Sequence, residues 1–240
     1  MNKNIGIDIV TPVHNEGTSI KDTLFEFFET YNGTQFVVKF IVSEDGSTDN
    51  SVEEIIKVSK EYNLELISES VRKGYSKAVI DGLLKVKSPI VSFIDSDGQC
   101  NPKDLKNLYD KFDGNNLVIG YRNPRRDSFI RKIMSHAFKL VFERFFKLRL
   151  IDPSCPFFLT SLDNLNKILA TPNMGILKQG FWWEFYARAY HLGINIVQCP
   201  IDHRKRSSGK TVVYRPSKIP KIALEHLKGL KALKNTLENI

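Results

Sequence analysis

Residues 90–102 read IVSFIDSDGQCNP, and the order of residue types in that stretch decides the fold. Residues 90–94 form a short β-branched and aromatic run, the composition of a buried strand. A polar tip follows at once, Asp95, Ser96, Asp97, Gly98 and Gln99. Pro102 then stands where the first turn of a helix accepts proline, and that helix is expected to run to Phe112. The same strand, polar tip and helix recur upstream. Residues 5–10 are apolar and lead into Pro12–Glu16 (PVHNE) and a helix with Ile20, Leu24, Phe27 and Phe28 at helical spacing, which Ser19 and Asp22 are placed to cap. Residues 36–42 lead into residues 43–51 (SEDGSTDNS), where Ser47 and Asp49 are placed to cap a helix over 49–61. Residues 64–67 lead into Arg72, Lys73 and Gly74 and a helix over 74–86, and residues 117–120 make a fifth strand. This alternation over 5–120 predicts an α/β fold with a Rossmann-like, mostly parallel central sheet.

Beyond residue 121 the pattern changes. Residues 128–150 read as a helix with an unusually wide apolar surface that includes Phe129, Phe138, Phe142, Phe145 and Phe146. Helices are expected over 163–169 and 181–192 and a strand over 194–199. A basic amphipathic helix is expected over 216–237, interrupted near Pro220. The expected organisation is one domain over 1–215, in halves 1–121 and 122–215, followed by the C-terminal amphipathic helix of 216–240.

The chain has 240 residues and a formal charge of +8, unevenly placed. Residues 1–121 hold 13 basic and 19 acidic side chains, residues 122–149 hold 9 and 2, and residues 203–240 hold 10 and 2. An acidic front with two basic blocks behind it suits a cation at the front and an anionic ligand or surface at the back. The longest uncharged stretch, Ala189–Ile201, has 13 residues, fewer than the roughly 20 apolar residues a spanning helix needs. No transmembrane helix and no signal peptide are expected, and Cys100, Cys155 and Cys199 are too widely spaced for a metal motif.

In open α/β sheets ligands bind at the carboxyl ends of the strands, where all these polar tips lie. Asp95 and Asp97, two residues apart on a turn, can face one hard cation, with Gln99 adding a neutral oxygen. Mg²⁺ or Mn²⁺ would fit there. Asp45 can accept from a base N–H, His14 offers a flat ring and Glu16 an acceptor. Arg72, Lys73 and Lys77 lie at the next strand-to-helix turn, within reach of phosphate or base.

Taken in order, the segments TPVHNE, SEDGSTDNS, RKGYSKAVIDGL, FIDSDGQCNP, GYRNPRR, DPSCPFF and PIDHRKRSSGKT resemble family 2 inverting glycosyltransferases of the GT-A fold. The branch they are similar to contains the dolichol- and polyprenyl-phosphate sugar transferases. The resemblance implies a UDP- or GDP-linked sugar donor, a divalent metal and inversion at the sugar carbon. It implies that Pro12, His14, Glu16 and Asp45, helped by Arg72, Lys77 and Lys210, hold the nucleotide sugar. It implies that Asp95, Ser96, Asp97 and Gln99 hold diphosphate and metal, that Arg122 and Arg131 meet the acceptor phosphate or the diphosphate, and that Arg206, a catalytic candidate, lies with Lys210 in a loop resembling the family's R-x-x-G-x-S segment. His14 stands where the family usually has Tyr or Phe, and Pro156 where it commonly has Gly.

The activity expected is transfer of the sugar to a polyprenyl or dolichyl phosphate at the surface of an anionic membrane, with the protein peripheral on its cytoplasmic face. An alternative acceptor is a hydroxyl of a glycan or lipid-linked saccharide, which needs a general base. Glu184, inside FWWEF, is the candidate for that base, and its pairing with Arg188 at i+4 is the competing role. A third possibility, from another class, is a module binding an anionic surface or nucleic acid. No nucleic-acid motif supports it, and no nucleic-acid partner is expected.

Overall fold

The computed structural model describes residues 4–124, 129–177, 180–204 and 219–239, with the backbone alone over 129–134 and 219–222. The five expected strands are present as β1 (Ile5–Val13), β2 (Phe36–Asp45), β3 (Leu64–Glu69), β4 (Ile90–Phe93) and β5 (Leu117–Arg122). Between them lie α1 (Ile20–Tyr31), α2 (Ser51–Ser59), α3 (Tyr75–Leu83) and α4 (Lys103–Tyr109). The second half adds α5 (Phe129–Phe146), β6 (Phe158–Ser161), α6 (Leu162–Leu169), α7 (Phe181–His191), β7 (Ile196–Ile201) and α8 (Ile219–Glu238).

The seven strands form one sheet in the order β3-β2-β1-β4-β6-β5-β7. All neighbours are parallel except β6, which runs antiparallel between β4 and β5. Its reversed direction brings Asp152–Phe157 onto the sheet at the edge where β4 and β5 leave it. Strand β6 is absent from the sequence expectation because its four residues, FLTS, begin two residues after Pro156 and carry no period long enough to register.

Alternation along the central strands divides the interior in two. Ile7, Ile9, Phe40 and Val42 join Phe27 and Phe28 of α1, Ile55 of α2 and Leu105 and Leu108 of α4 on one face. Val10, Ile41 and Phe93 join Val79 and Leu83 of α3 and the large apolar side chains of α5 to α8 on the other. The result is a helix–sheet–helix sandwich. Asp8 is fully buried among these residues, and its carboxylate accepts from the N–H groups of Lys87 and Ser88 and from the Ser88 hydroxyl.

The breadth of the apolar face on α5 has a packing cause. Phe142 is fully buried against Trp183 of α7, and Phe138 lies edge-on to both Trp183 and His226 of α8. Two helices cover α5, so one stripe is not enough. Helix α8 buries Leu230, Leu233 and Leu237 in the same core, so it packs on the domain. Pro220 does not interrupt it; it sits in the first turn, where a missing N–H costs no helical bond.

Candidate active site at the carboxyl edge of the sheet

The strands run further into their polar tips than their apolar runs suggest. Val13 pairs with Glu44 and Asp45 with Glu69, because a ladder needs backbone groups and not apolar side chains. Pro12 is buried opposite Ser43, beyond the last pair of β1 with β4 at Val10 and Phe93.

The first two tips are laced together. His14 Nδ1 donates to the Asp45 carbonyl at 2.9 Å, which fixes the tautomer. The N–H of Asn15 donates to Ser47 Oγ at 3.0 Å, and the N–H of Thr48 donates to Asn15 Oδ1 at 2.8 Å. Glu16 and Gly17 donate their N–H groups to Ser51 Oγ and Asp49 Oδ2 at 2.9 and 3.0 Å. Asn15 adopts φ 54°, a left-handed conformation that Asn tolerates better than most residues. The expected helix caps therefore serve other bonds. Ser19 donates to the Glu16 carboxylate at 2.9 Å instead of capping α1, and Ser47 accepts from Asn15 instead of capping α2. Asp49 accepts from Ser51 and Gly17. Burial works to raise its pKa, and these hydrogen bonds outweigh it, leaving the carboxyl below its usual range.

Asp45 is buried, and its carboxylate accepts from the N–H groups of Lys73 at 2.5 Å and Gly74 at 2.9 Å. Gly46 lies against the same turn at φ 66°, where a Cβ would come 2.7 Å from the Arg72 nitrogen. The basic residues of this turn divide. Lys73 is committed to Asp81 and to Glu69, which corrects its expected approach to a phosphate. Arg72 is largely exposed, with Nε 3.9 Å from the Asp45 carboxylate, and Lys77 is exposed on the first turn of α3.

The third tip folds on itself. The N–H of Gln99 donates to Asp97 Oδ1 at 3.2 Å, and Gln99 Nε2 donates to the Arg204 carbonyl at 3.1 Å, which turns its amide oxygen the other way. A bridge between Cys100 and His203 continues this pairing and brings His203, unremarked in the sequence, beside the loop. Ser96 is buried, and its carbonyl accepts from Thr23 at 3.4 Å. Asp95 accepts from the Tyr75 hydroxyl at 2.9 Å, and that hydroxyl accepts from Trp182 Nε1 at 2.8 Å. Burial first, and the Asp95 carboxylate second, push the Tyr75 pKa well up, so the phenol keeps its proton. Among the described residues no group of three or more His, Cys, Asp and Glu side chains forms a closed metal cage. Two carboxylates and one amide do fit a hard cation that takes the rest of its oxygen shell from phosphates and water.

Arg122 forks onto Asp152 at 2.6 and 2.8 Å and reaches Ser154 Oγ at 2.6 Å, so its charge is matched within the protein. Beside that pair a cavity of about 170 Å³ is lined by Ser135, His136, Lys139, Asp152, Ser154 and Trp183. Arg206 and Lys210 lie outside the described residues, and of Arg131 only the backbone is described, in the first turn of α5.

Glu184 is fully buried away from water. One oxygen accepts from Gly175 N–H at 2.9 Å and from Arg188 at 2.7 and 3.0 Å, and the other accepts from Leu177 N–H at 2.7 Å. Arg188 also donates to Thr171, Pro172 and Asn173. This geometry corrects the expectation of a base: Glu184 is one half of a saturated ion pair holding the 171–177 segment to α7. Burial also pushes the Cys100 and Cys155 thiols up, Cys155 to about 12, which leaves them poor nucleophiles.

The model of glycosyl transferase family 2 matches residues 8–163. The chain belongs to glycosyl transferase family 2. That span of the family runs from β1 to the first turn of α6 and contains all three polar tips. Among curated relatives, the undecaprenyl-phosphate 4-deoxy-4-formamido-L-arabinose transferases of Salmonella choleraesuis and Salmonella paratyphi B are each 28% identical over 141 residues, 58% of this chain and 43% of theirs. The chain thus spans less than half the length of these family 2 relatives. Among solved structures, glucosyl-3-phosphoglycerate synthase from Mycobacterium tuberculosis, in complex with Mn²⁺, UDP and glucosyl-3-phosphoglycerate, superposes with a TM-score of 0.70 at 18% identity, covering 96% of this chain and 80% of that one. The same synthase with Mg²⁺ and UDP gives a TM-score of 0.68 at 18% identity, covering 95% and 80%. These likenesses show the GT-A fold.

Of the residues that resemblance assigned, Pro12, His14, Glu16, Asp45, Arg72, Asp95, Ser96, Asp97 and Gln99 lie on the tips at one edge of the sheet. Tyr75, Trp182, Asn15 and His203 were missed. Only an Asn at the point where a chain must reverse gave a signal, and that signal is weak.

Proposed function

We propose that this family 2 protein is a metal-dependent inverting glycosyltransferase that moves a sugar from a UDP- or GDP-linked donor to a polyprenyl phosphate at a membrane surface. The observation that carries the donor site is a junction: Gly74 donates to Asp45, and the next residue, Tyr75, donates to Asp95. Consecutive residues therefore tie the base-side carboxylate and the diphosphate-side carboxylate to one turn.

On this reading the laced tips of β1 and β2 seat the nucleoside against His14 and Asp45. Asp95, Asp97 and Gln99 would hold Mg²⁺ or Mn²⁺, whose chemistry there is to neutralise the charge gathering on the departing diphosphate. An acceptor oxygen attacks the anomeric carbon from the side opposite the leaving group, which inverts that carbon. A lipid phosphate is already ionised and needs no base, which agrees with a Glu184 that is spent on Arg188. Its phosphate fits the cavity where Ser135, His136, Lys139 and Ser154 converge, and the Arg122–Asp152 fork holds that wall rigid.

The second half of the chain also carries surface suited to an anionic bilayer. Leu140 and Ile151 are each 53% exposed, and Leu224 and Leu227 of α8 are exposed beside Lys228 and Lys231. Apolar side chains that dip among lipids, with lysines at head-group level, are the pattern of interfacial helices. No helix among the described residues is long and apolar enough to cross a membrane.

The test is transfer of a labelled sugar from UDP- and GDP-sugars, with Mg²⁺ or Mn²⁺, to undecaprenyl phosphate and in parallel to saccharide hydroxyls. An acid-labile glycolipid phosphate is expected. Transfer only to hydroxyls would overturn the acceptor assignment.

A further inference from the structure

The relay from Trp182 through Tyr75 to Asp95 crosses three elements, α7, α3 and the loop after β4. Its polarity is set by chemistry. An indole N–H can only donate, so the Tyr75 hydroxyl accepts from Trp182 and its single proton is committed to Asp95 Oδ1. The far end is anchored: Trp182 is buried and its ring packs on Phe93, Phe158, Phe181 and Phe185. The near end is at the carboxyl edge of the sheet, where Tyr75 is 41% exposed. A carboxylate on a loop has two soft torsions, and a hydrogen bond from a rigid donor removes much of that freedom. Donors of this kind orient metal ligands and tune their affinity.

We propose that Tyr75 is a positioning residue that, braced by Trp182, fixes the orientation in which Asp95 meets the divalent ion. The proposal rests on the metal reading of the Asp95–Asp97 turn. Tyr75→Phe removes one hydroxyl and keeps the ring, so the fold should persist.

The experiment is titration of metal-free protein with Mn²⁺ alone, followed by the loss of the electron paramagnetic resonance signal of free Mn²⁺. Wild type, Tyr75→Phe, Trp182→Phe and Asp95→Asn are compared, with near-ultraviolet circular dichroism confirming the fold of each. Tyr75→Phe should weaken Mn²⁺ binding about tenfold, Trp182→Phe by less, and Asp95→Asn should nearly abolish it. In turnover, the Mn²⁺ concentration for half-activation should rise by the same factor in Tyr75→Phe, while the donor KM at saturating Mn²⁺ stays put. A general packing defect would move both. If wild type and Asp95→Asn bind Mn²⁺ alike, the metal site itself is wrong and the proposal falls with it. If Asp95→Asn loses Mn²⁺ but Tyr75→Phe binds it as wild type does, the metal site stands and the positioning role is overturned.

Discussion

Asp45 holds Gly74 with both carboxylate oxygens, which lie 2.9 and 3.2 Å from the same backbone nitrogen. The contact ties the end of β2 to the start of α3, so the residue proposed to read the base also builds the wall beside it. Asp45→Ala should therefore damage stability and donor affinity together. Leaving the partly buried N–H groups of Lys73 and Gly74 unpaired costs up to about 1–3 kcal/mol. Urea unfolding and nucleotide titration check the two effects. A variant with lost affinity and unchanged stability would show that the turn does not depend on Asp45.

Glu184 and Arg188 form a buried pair with neither side chain exposed. Breaking such a pair by removing one partner costs about 3–5 kcal/mol, while replacing both with apolar residues of similar size often costs little. Glu184→Ala should lower the unfolding midpoint strongly, and Glu184→Leu with Arg188→Met should recover only part of it, because the N–H groups of Gly175 and Leu177 and the carbonyls of Pro172 and Asn173 still lose their partners. The pH–rate profile of any folded Glu184 variant should keep the wild-type shape. Loss of the acidic limb, where the rate falls as a base takes up its proton, would restore Glu184 as a base.

These two sites show what the sequence made legible. The strand, tip and helix repeats around Asp45 and Asp95 could be read because apolar runs and polar tips alternate on a scale of a few residues. Their convergence on one edge followed from parallel topology. The role of Glu184 could not be chosen, because an i+4 arginine and an aromatic neighbourhood suit both an ion pair and a base until the donors from Gly175 and Leu177 are seen. The Tyr75–Asp95 bond joins residues 20 apart, and Trp182 lies 107 residues from Tyr75, so no local pattern announces either contact.

His226 should give the fold a pH dependence. Its ring packs edge-on to Phe138 at 4.8 Å, its Nε2 is buried without a hydrogen-bond partner among the described residues, and burial holds its pKa below the ordinary 6.5. The unfolded chain then binds this proton more readily than the folded one. The stabilisation is complete above the unfolded value and is lost as pH falls from about 6.5 toward the folded value. Thermal midpoints should drop between pH about 7.5 and about 5.5 more in wild type than in His226→Phe. Equal drops would remove His226 from the account.

Lys228 and Lys231 stand exposed on α8 beside Leu224 and Leu227. A lysine near an anionic bilayer contributes about 1 kcal/mol, so Lys228→Glu with Lys231→Glu should lower partitioning onto anionic vesicles by more than about tenfold and leave nucleotide binding unchanged. Vesicle sedimentation reads the first effect and titration the second. Unchanged sedimentation would move the membrane contact elsewhere.

The most direct test of the central claim is sugar transfer by wild type and Asp97→Asn from a labelled nucleotide sugar to undecaprenyl phosphate, with Mg²⁺ or Mn²⁺ present. The account predicts a glycosyl phospholipid of inverted anomeric configuration from wild type and essentially none from Asp97→Asn. Full activity in Asp97→Asn, or release of free sugar with none reaching the lipid, would contradict it.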